Sequence, residues 1–265
     1  MKKIKYWFSA LYVIFIMASC TKVIDLKLGD KTGELVIEGN ITNVRAPQYI
    51  TLSRNVPFTN ANTYPPVTGA IVSVTDALAN FRQFTEGPPG TYSIGRLTGQ
   101  PGNTYTLQVT TNGKTYSAVS VMPAPVKLDS ITSVINDFKR GNNLRDISVN
   151  YLDPVGVANQ YRFTLSVNGV QVKRVFTYDD EFINGKYVNL ELVQNDIDIH
   201  PGDTATVEMQ CIDKPIYTYW YTLMQQQFNG PGGGITPSNP PTNITPVTLG
   251  YFSAHTTQSK SIIVR

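Results

Sequence analysis

Short runs that alternate apolar and polar residues, each bounded by Pro, Gly or Asn, follow one another along the chain from Gly33 onward. A period of two places every second side chain on one face of a strand, so such a chain has to bury sheet against sheet. Residues 34–38 (ELVIE), 49–54 (YITLSR), 70–75 (AIVSVT), 81–84, a strand centred on Tyr92, 104–110 (TYTLQVT) and 114–119 (KTYSAV) succeed one another with no helical stretch between them. Asn112-Gly113 supplies a two-residue hairpin turn, and Pro66 to Ala70, Pro88 to Tyr92 and Gln100 to Asn103 preset the turns that lead into three of the strands. These residues predict a β-sandwich over 33–122.

Met122-Pro123-Ala124-Pro125 marks a boundary, because two prolines so close favour a stiff extended connector. Beyond it, residues 126–265 form a second β-rich domain. Its predicted strands are 128–135, 147–151, 161–167, 170–176, 182–183, 187–192 and 204–212, with Asn168-Gly169 and Asn184-Gly185 as turns. One segment departs from the pattern. Asp213 is suited to cap a helix, Pro215 fits its first turn, and Ile216, Trp220, Leu223 and Gln227 recur at helical spacing, so a packed helix is predicted near 214–227. A Pro- and Gly-rich loop over 230–241 and two terminal strands, 247–255 and 261–264, complete the reading. The fold class expected is mainly β, with one helix.

The string Gly69, Val72, Val74, Gly90, Tyr92, Pro101, Gly102, Tyr105, Leu107, Val109 resembles the ordering in prealbumin-like and carboxypeptidase-regulatory-like sandwiches. The same residues serve equally as the core and turns of an Ig-like sandwich.

The first twenty residues follow a different logic. Lys2, Lys3 and Lys5 precede an apolar run from Tyr6 to Ala18, and Met17-Ala18-Ser19-Cys20 closes it with small residues and a cysteine. The run is shorter than the ~20 residues that span a bilayer as a helix, so residues 1–19 are read as an export leader. The ending resembles the bacterial lipobox, with Met17 in place of the usual Leu. It implies lipid attachment at Cys20, a tether over 20–32, and anchoring in the outer membrane by more than one acyl chain, on its periplasmic or its cell-surface face.

Removing the leader changes the charge. The full chain has 22 Lys and Arg against 19 Asp and Glu, and three of those lysines lie in the leader. The mature chain is therefore neutral, and no basic cluster remains to track nucleic acid. Lipidation of Cys20 would leave Cys211 as the remaining cysteine, which its place after an alternating segment assigns to a strand as a small buried residue.

Several elements together resemble a known family. They are Leu35–Thr42 (LVIEGNIT), Val67-Thr68-Gly69-Ala70, Met122-Pro123, Asp203-Thr204, Ile212-Asp213-Lys214, Tyr217, Tyr219, Asn239-Pro240-Pro241-Thr242-Asn243-Ile244 and Leu249-Gly250-Tyr251-Phe252-Ser253-Ala254. The chain resembles a Bacteroidota outer-membrane lipoprotein family known as domain of unknown function 4249. That resemblance spans the mature chain and implies a lipoprotein encoded near TonB-dependent receptors, with no catalytic residues to carry over.

The residues nominate little chemistry. His200 and His255 have no local Cys or His companion at zinc spacing, and no nucleotide-binding glycine pattern or Gly-x-Ser-x-Gly element is present. Asp179, Asp180 and Glu181 could collect calcium or form a solvated hairpin edge. Tyr217, Tyr219, Trp220 and Tyr221 crowd the helix and wrap around two of its faces, which makes Tyr219 and Tyr221 candidate contacts for a peptide or glycan ligand. The function expected is a noncatalytic envelope lipoprotein without a cofactor, binding a TonB-dependent transporter or its substrate. An adhesion or structural module is the alternative, and a hydrolase comes third.

Overall fold

The alternation of period two resolves into sixteen strands and one helix among the described residues. The computed structural model describes residues 32–57, 63–136, 143–227 and 238–265. The leader, Cys20, the tether through Lys31 and most of the 230–241 loop lie outside the described residues.

The first core is closed by two facing sheets. One holds β1 (Leu35–Thr42), β2 (Ala46–Arg54) and β5 (Thr91–Leu97); the other holds β4 (Phe81–Glu86), β3 (Ile71–Asp76), β6 (Thr104–Thr111), β7 (Lys114–Val121) and the short β15 (Ile244–Thr245). Strand β4 belongs to both, since it pairs with β3 and also, through Thr85 and Glu86, with β5. Ile37, Ile50, Leu52 and Tyr92 from one sheet meet Val72, Val74, Leu107 and Val109 from the other. The Tyr92 hydroxyl ends in that core, donating to the Val67 carbonyl and accepting from the Ala70 amide, each at 3.0 Å. At the β6–β7 turn, Asn112 and Gly113 have φ of 50° and 72°, as the hairpin reading requires.

The second core lies between the three-stranded sheet β8 (Leu128–Ile135), β9 (Arg145–Leu152) and β13 (Tyr187–Glu191), and a sheet built on β10 (Gln160–Val167) and β14 (Thr204–Cys211). The short strands β11 (Val170–Gln171) and β12 (Phe176–Asp179) both pair with β10. Tyr151, Tyr161, Phe163 and Tyr178 form its aromatic centre, with ring centroids 4.9–6.5 Å apart. These two facing sheets make an Ig-like, fibronectin type III-like sandwich. Cys211 is buried here as expected, its sulfur accepting from the Val126 amide at 3.4 Å, and burial raises its thiol pKa.

One strand is shared. The two terminal strands expected at 247–255 and 261–264 are a single strand, β16 (Leu249–Ile263). It runs parallel to β1 through residues 249–255, then antiparallel to β14 through residues 256–263. Its Phe252 and Ala254 therefore close the first core, while Val264, just beyond it, closes the second. Gly39, just past the expected 34–38 run, lies inside β1. A Cβ there would come 2.7 Å from Ile50 Cδ1 and 2.9 Å from Phe252 Cδ2, so the missing side chain lets those two close over the strand. The 170–176 expectation also divides: β11 ends at Gln171, and β12 begins at Phe176.

Helix α1 (Lys214–Gln227) starts where predicted. Asp213 Oδ1 accepts from the Ile216 amide at 3.3 Å, the N-cap bond. Its Oδ2 accepts from Ser120 Oγ at 2.7 Å and the Val121 amide at 2.9 Å, which ties the start of the helix to β7. At the other end the Gln227 side chain accepts from the Val175 amide and donates to the Lys173 carbonyl.

Candidate functional site

Helix α1 packs into an aromatic cluster on one side and borders a cavity on the next, and Tyr217 takes part in both. Ile216, Tyr217, Tyr219 and Trp220 pack with Ile212 and Tyr251. Tyr219 and Trp220 have ring centroids 5.0 and 5.2 Å from that of Tyr251, and the Arg162 guanidinium lies 3.9 Å from the Trp220 ring. Tyr217, Tyr221 and Met224 border a cavity of about 690 Å³ against β12 and the turn that follows it.

Tyr217 and Tyr221 stack along one wall with centroids 5.4 Å apart and planes 25° from parallel. Tyr178, Phe182, Ile183, Val188 and Leu190 also line it, and Tyr151 reaches the cavity from the second core. The Tyr151 side chain is fully buried, and its hydroxyl has no hydrogen-bond partner among the described residues. Asp179, Glu181 and Gln225 bring polar groups to the lining. Asp179 holds the Tyr217 hydroxyl in a hydrogen bond; burial first, and that carboxylate second, push the Tyr217 pKa up. Asp179 Oδ2 also lies 3.7 Å from Lys214 Nζ, which stands 4.5 Å over the Tyr217 ring.

The turn is fixed from beneath. Asp153, 1% exposed, accepts from the Tyr161 hydroxyl through Oδ1 and from the Gly185 amide through Oδ2 at 3.1 Å. The Asp180 carbonyl accepts from the amides of Ile183 and Asn184. Residues 182–183, expected as strand, belong to this turn, and Gly185 takes the positive φ of 71° that closes it.

The sequence-predicted contacts separate. Tyr221 lines the cavity and is 39% exposed, whereas Tyr219 is turned to Tyr251. Residues two apart on a helix do not share a face, and the spacing that does, 217, 221 and 224, was the signal for this wall. Tyr151 and Tyr178 reach it through sheet pairing and Phe182 through the turn tied to Asp153, neither of which local spacing reveals. In the acidic run, Asp179 and Glu181 line the cavity while Asp180 is buried in the turn. Among the described residues, no three His, Cys, Asp or Glu side chains come together as a metal-holding group.

The histidines are not brought together either. The His200 amide donates to Asp203 Oδ2 in a turn, and His255 is buried in β16 with Nδ1 3.0 Å from Ser253 Oγ. Burial, reinforced by Arg162 and opposed by Glu208, lowers the His255 pKa from 6.5 to about 4. The unfolded chain then binds this proton more readily than the folded one. The ring's contribution to stability is complete above its unfolded value and is lost as pH falls from about 6.5 through about 4, a loss of roughly 3 kcal/mol. In urea unfolding at pH 7 and pH 4.5, His255→Asn should flatten the difference between the two conditions, whatever its constant offset. An unchanged difference would reject this origin.

Comparison with known proteins places these features. A family model described as domain of unknown function (DUF4249) matches residues 21–261. No curated protein matches the chain. Similar solved structures include a two-domain fibronectin type III segment from chicken tenascin, 12% identical, covering 68% of this chain and 90% of that one, with a TM-score of 0.22. The Yersinia pseudotuberculosis adhesin InvE is 19% identical over 67% of this chain and 55% of its own, also at 0.22. The FN1–FN3 domains of chicken CNTN1 are 12% identical over 88% and 66%, at 0.25.

Proposed function

The chain belongs to the family defined by the domain of unknown function DUF4249, and from that premise we propose that it is a noncatalytic, lipid-anchored envelope protein that binds a ligand. The cavity beside α1 carries this reading. Its volume of about 690 Å³ is within the range of small-molecule sites, and an aromatic lining with a few polar groups gives contact area and orientation. The anchor is Cys20, and the membrane is the outer membrane. The shared family region starts at Thr21, directly after that cysteine, which supports cleavage before Cys20. The ligand is the cargo of a TonB-dependent transporter, or the site assists that transporter directly.

Two experiments test this. A Cys20→Ala variant should lose metabolic palmitate labelling and leave the membrane fraction, and retained label would end the anchor claim. Purification of the tagged protein from detergent-solubilised outer membranes should bring a TonB-dependent transporter with it. Recovery without any transporter would reject the accessory role.

A further inference from the structure

We propose that the cavity between α1 and β12 binds an alkylammonium group, an inference that rests on reading that cavity as the ligand site. Aromatic rings present a negative face, so several of them around one space attract a cation, more strongly where water is excluded. Here the ring of Tyr221, stacked on Tyr217, and the rings of Tyr178 and Phe182 line one space.

The molecule already holds one ammonium in this manner. Lys214 Nζ lies over the Tyr217 ring and near Asp179 Oδ2, so a ring face and a carboxylate jointly accommodate an amine at the cavity's side. Of the neighbouring cations, Lys214 offsets Asp179, Lys186 Nζ donates to the Phe182 carbonyl at 3.0 Å, and Arg174 acts on Tyr178. The Glu181 carboxylate lines the cavity without an ion pair among the described residues, and it is the charge a cationic ligand would meet. An anionic ligand would face both carboxylates. A neutral one would use the rings alone.

The test compares choline with its neutral isostere 3,3-dimethylbutan-1-ol, and adds Nα-acetyl-lysine amide to separate a small quaternary amine from a lysine side chain. Binding to the full chain in a nonionic detergent is read by calorimetric titration. At least one of the two cations should bind about tenfold more tightly than the neutral isostere. Glu181→Gln should bring that ratio down toward one, and Tyr221→Ala should weaken every probe; both residues are exposed, so neither change threatens the fold. Equal binding of cation and isostere, still weakened by Tyr221→Ala, would overturn the alkylammonium inference and leave the cavity as the site. Binding that neither substitution alters would overturn both. No binding by either cation would reject the inference.

Discussion

Gly250→Ala should lower the stability of this protein by roughly 3–5 kcal/mol, seen as a large drop in its denaturant midpoint. Gly250 pairs with Ile37 in the parallel β1–β16 ladder and has φ of 97°. A Cβ there would come 2.0 Å from the Ile37 carbonyl oxygen and 2.7 Å from its carbon, backbone atoms that cannot move aside as a side chain can. Gly102→Ala is the control, since φ there is also positive, 82°, but the added carbon meets nothing within 4 Å. It should cost only about 1 kcal/mol, the backbone strain alone. Equal midpoints for the two variants would show that the close approach at Ile37 carries no weight.

Asp153→Ala should be nearly as damaging, at about 3 kcal/mol, because it strands the buried Tyr161 hydroxyl and the Gly185 amide together. Burial, with Asp153 second, raises the Tyr161 pKa, so the phenol stays protonated and serves as donor. Adding Tyr161→Phe to the alanine variant removes one of the stranded groups and should recover part of the loss. If the double variant were less stable than the single, the hydroxyl would not be the source. Hydrogen exchange at the Gly185 amide should speed up in Asp153→Ala, and ligand binding should weaken with it, since Glu181, Phe182 and Ile183 line the cavity from the same turn.

What the sequence made legible follows the range of the forces involved. The hairpins at Asn112-Gly113 and Asn168-Gly169, most of the alternating strands and the helix from Asp213 are set within a few residues by dihedral preference, capping and periodicity, and they stand where that reading put them. The first run was ended at residue 38, short of Thr42, because the glycine that follows marks a turn and a close approach equally well, and only the positions of Ile50 and Phe252 distinguish them. The division of the last strand into two had the same origin. Its polar stretch from Thr256 to Lys260 reads locally as an interruption, yet Thr257 Oγ1 donates to Glu208 Oε1 at 2.6 Å and Gln258 is held against Val126. Half of the cavity wall, Tyr217 and Tyr221, was open to helical arithmetic. The other half depends on β12 pairing with β10 and on the Asp153 tie, contacts that no spacing encodes.

The shared strand β16 also sets an order of events. A chain emerging N-terminus first usually folds its leading domain while the rest is still arriving. Here Phe252 and Ala254 are needed to close the first core, and β1 has no partner on that side until they arrive. The leading half must therefore wait, its edge unpaired, until the last residues of the chain are present. On the export route proposed above, that delay would keep both halves from locking before translocation is complete.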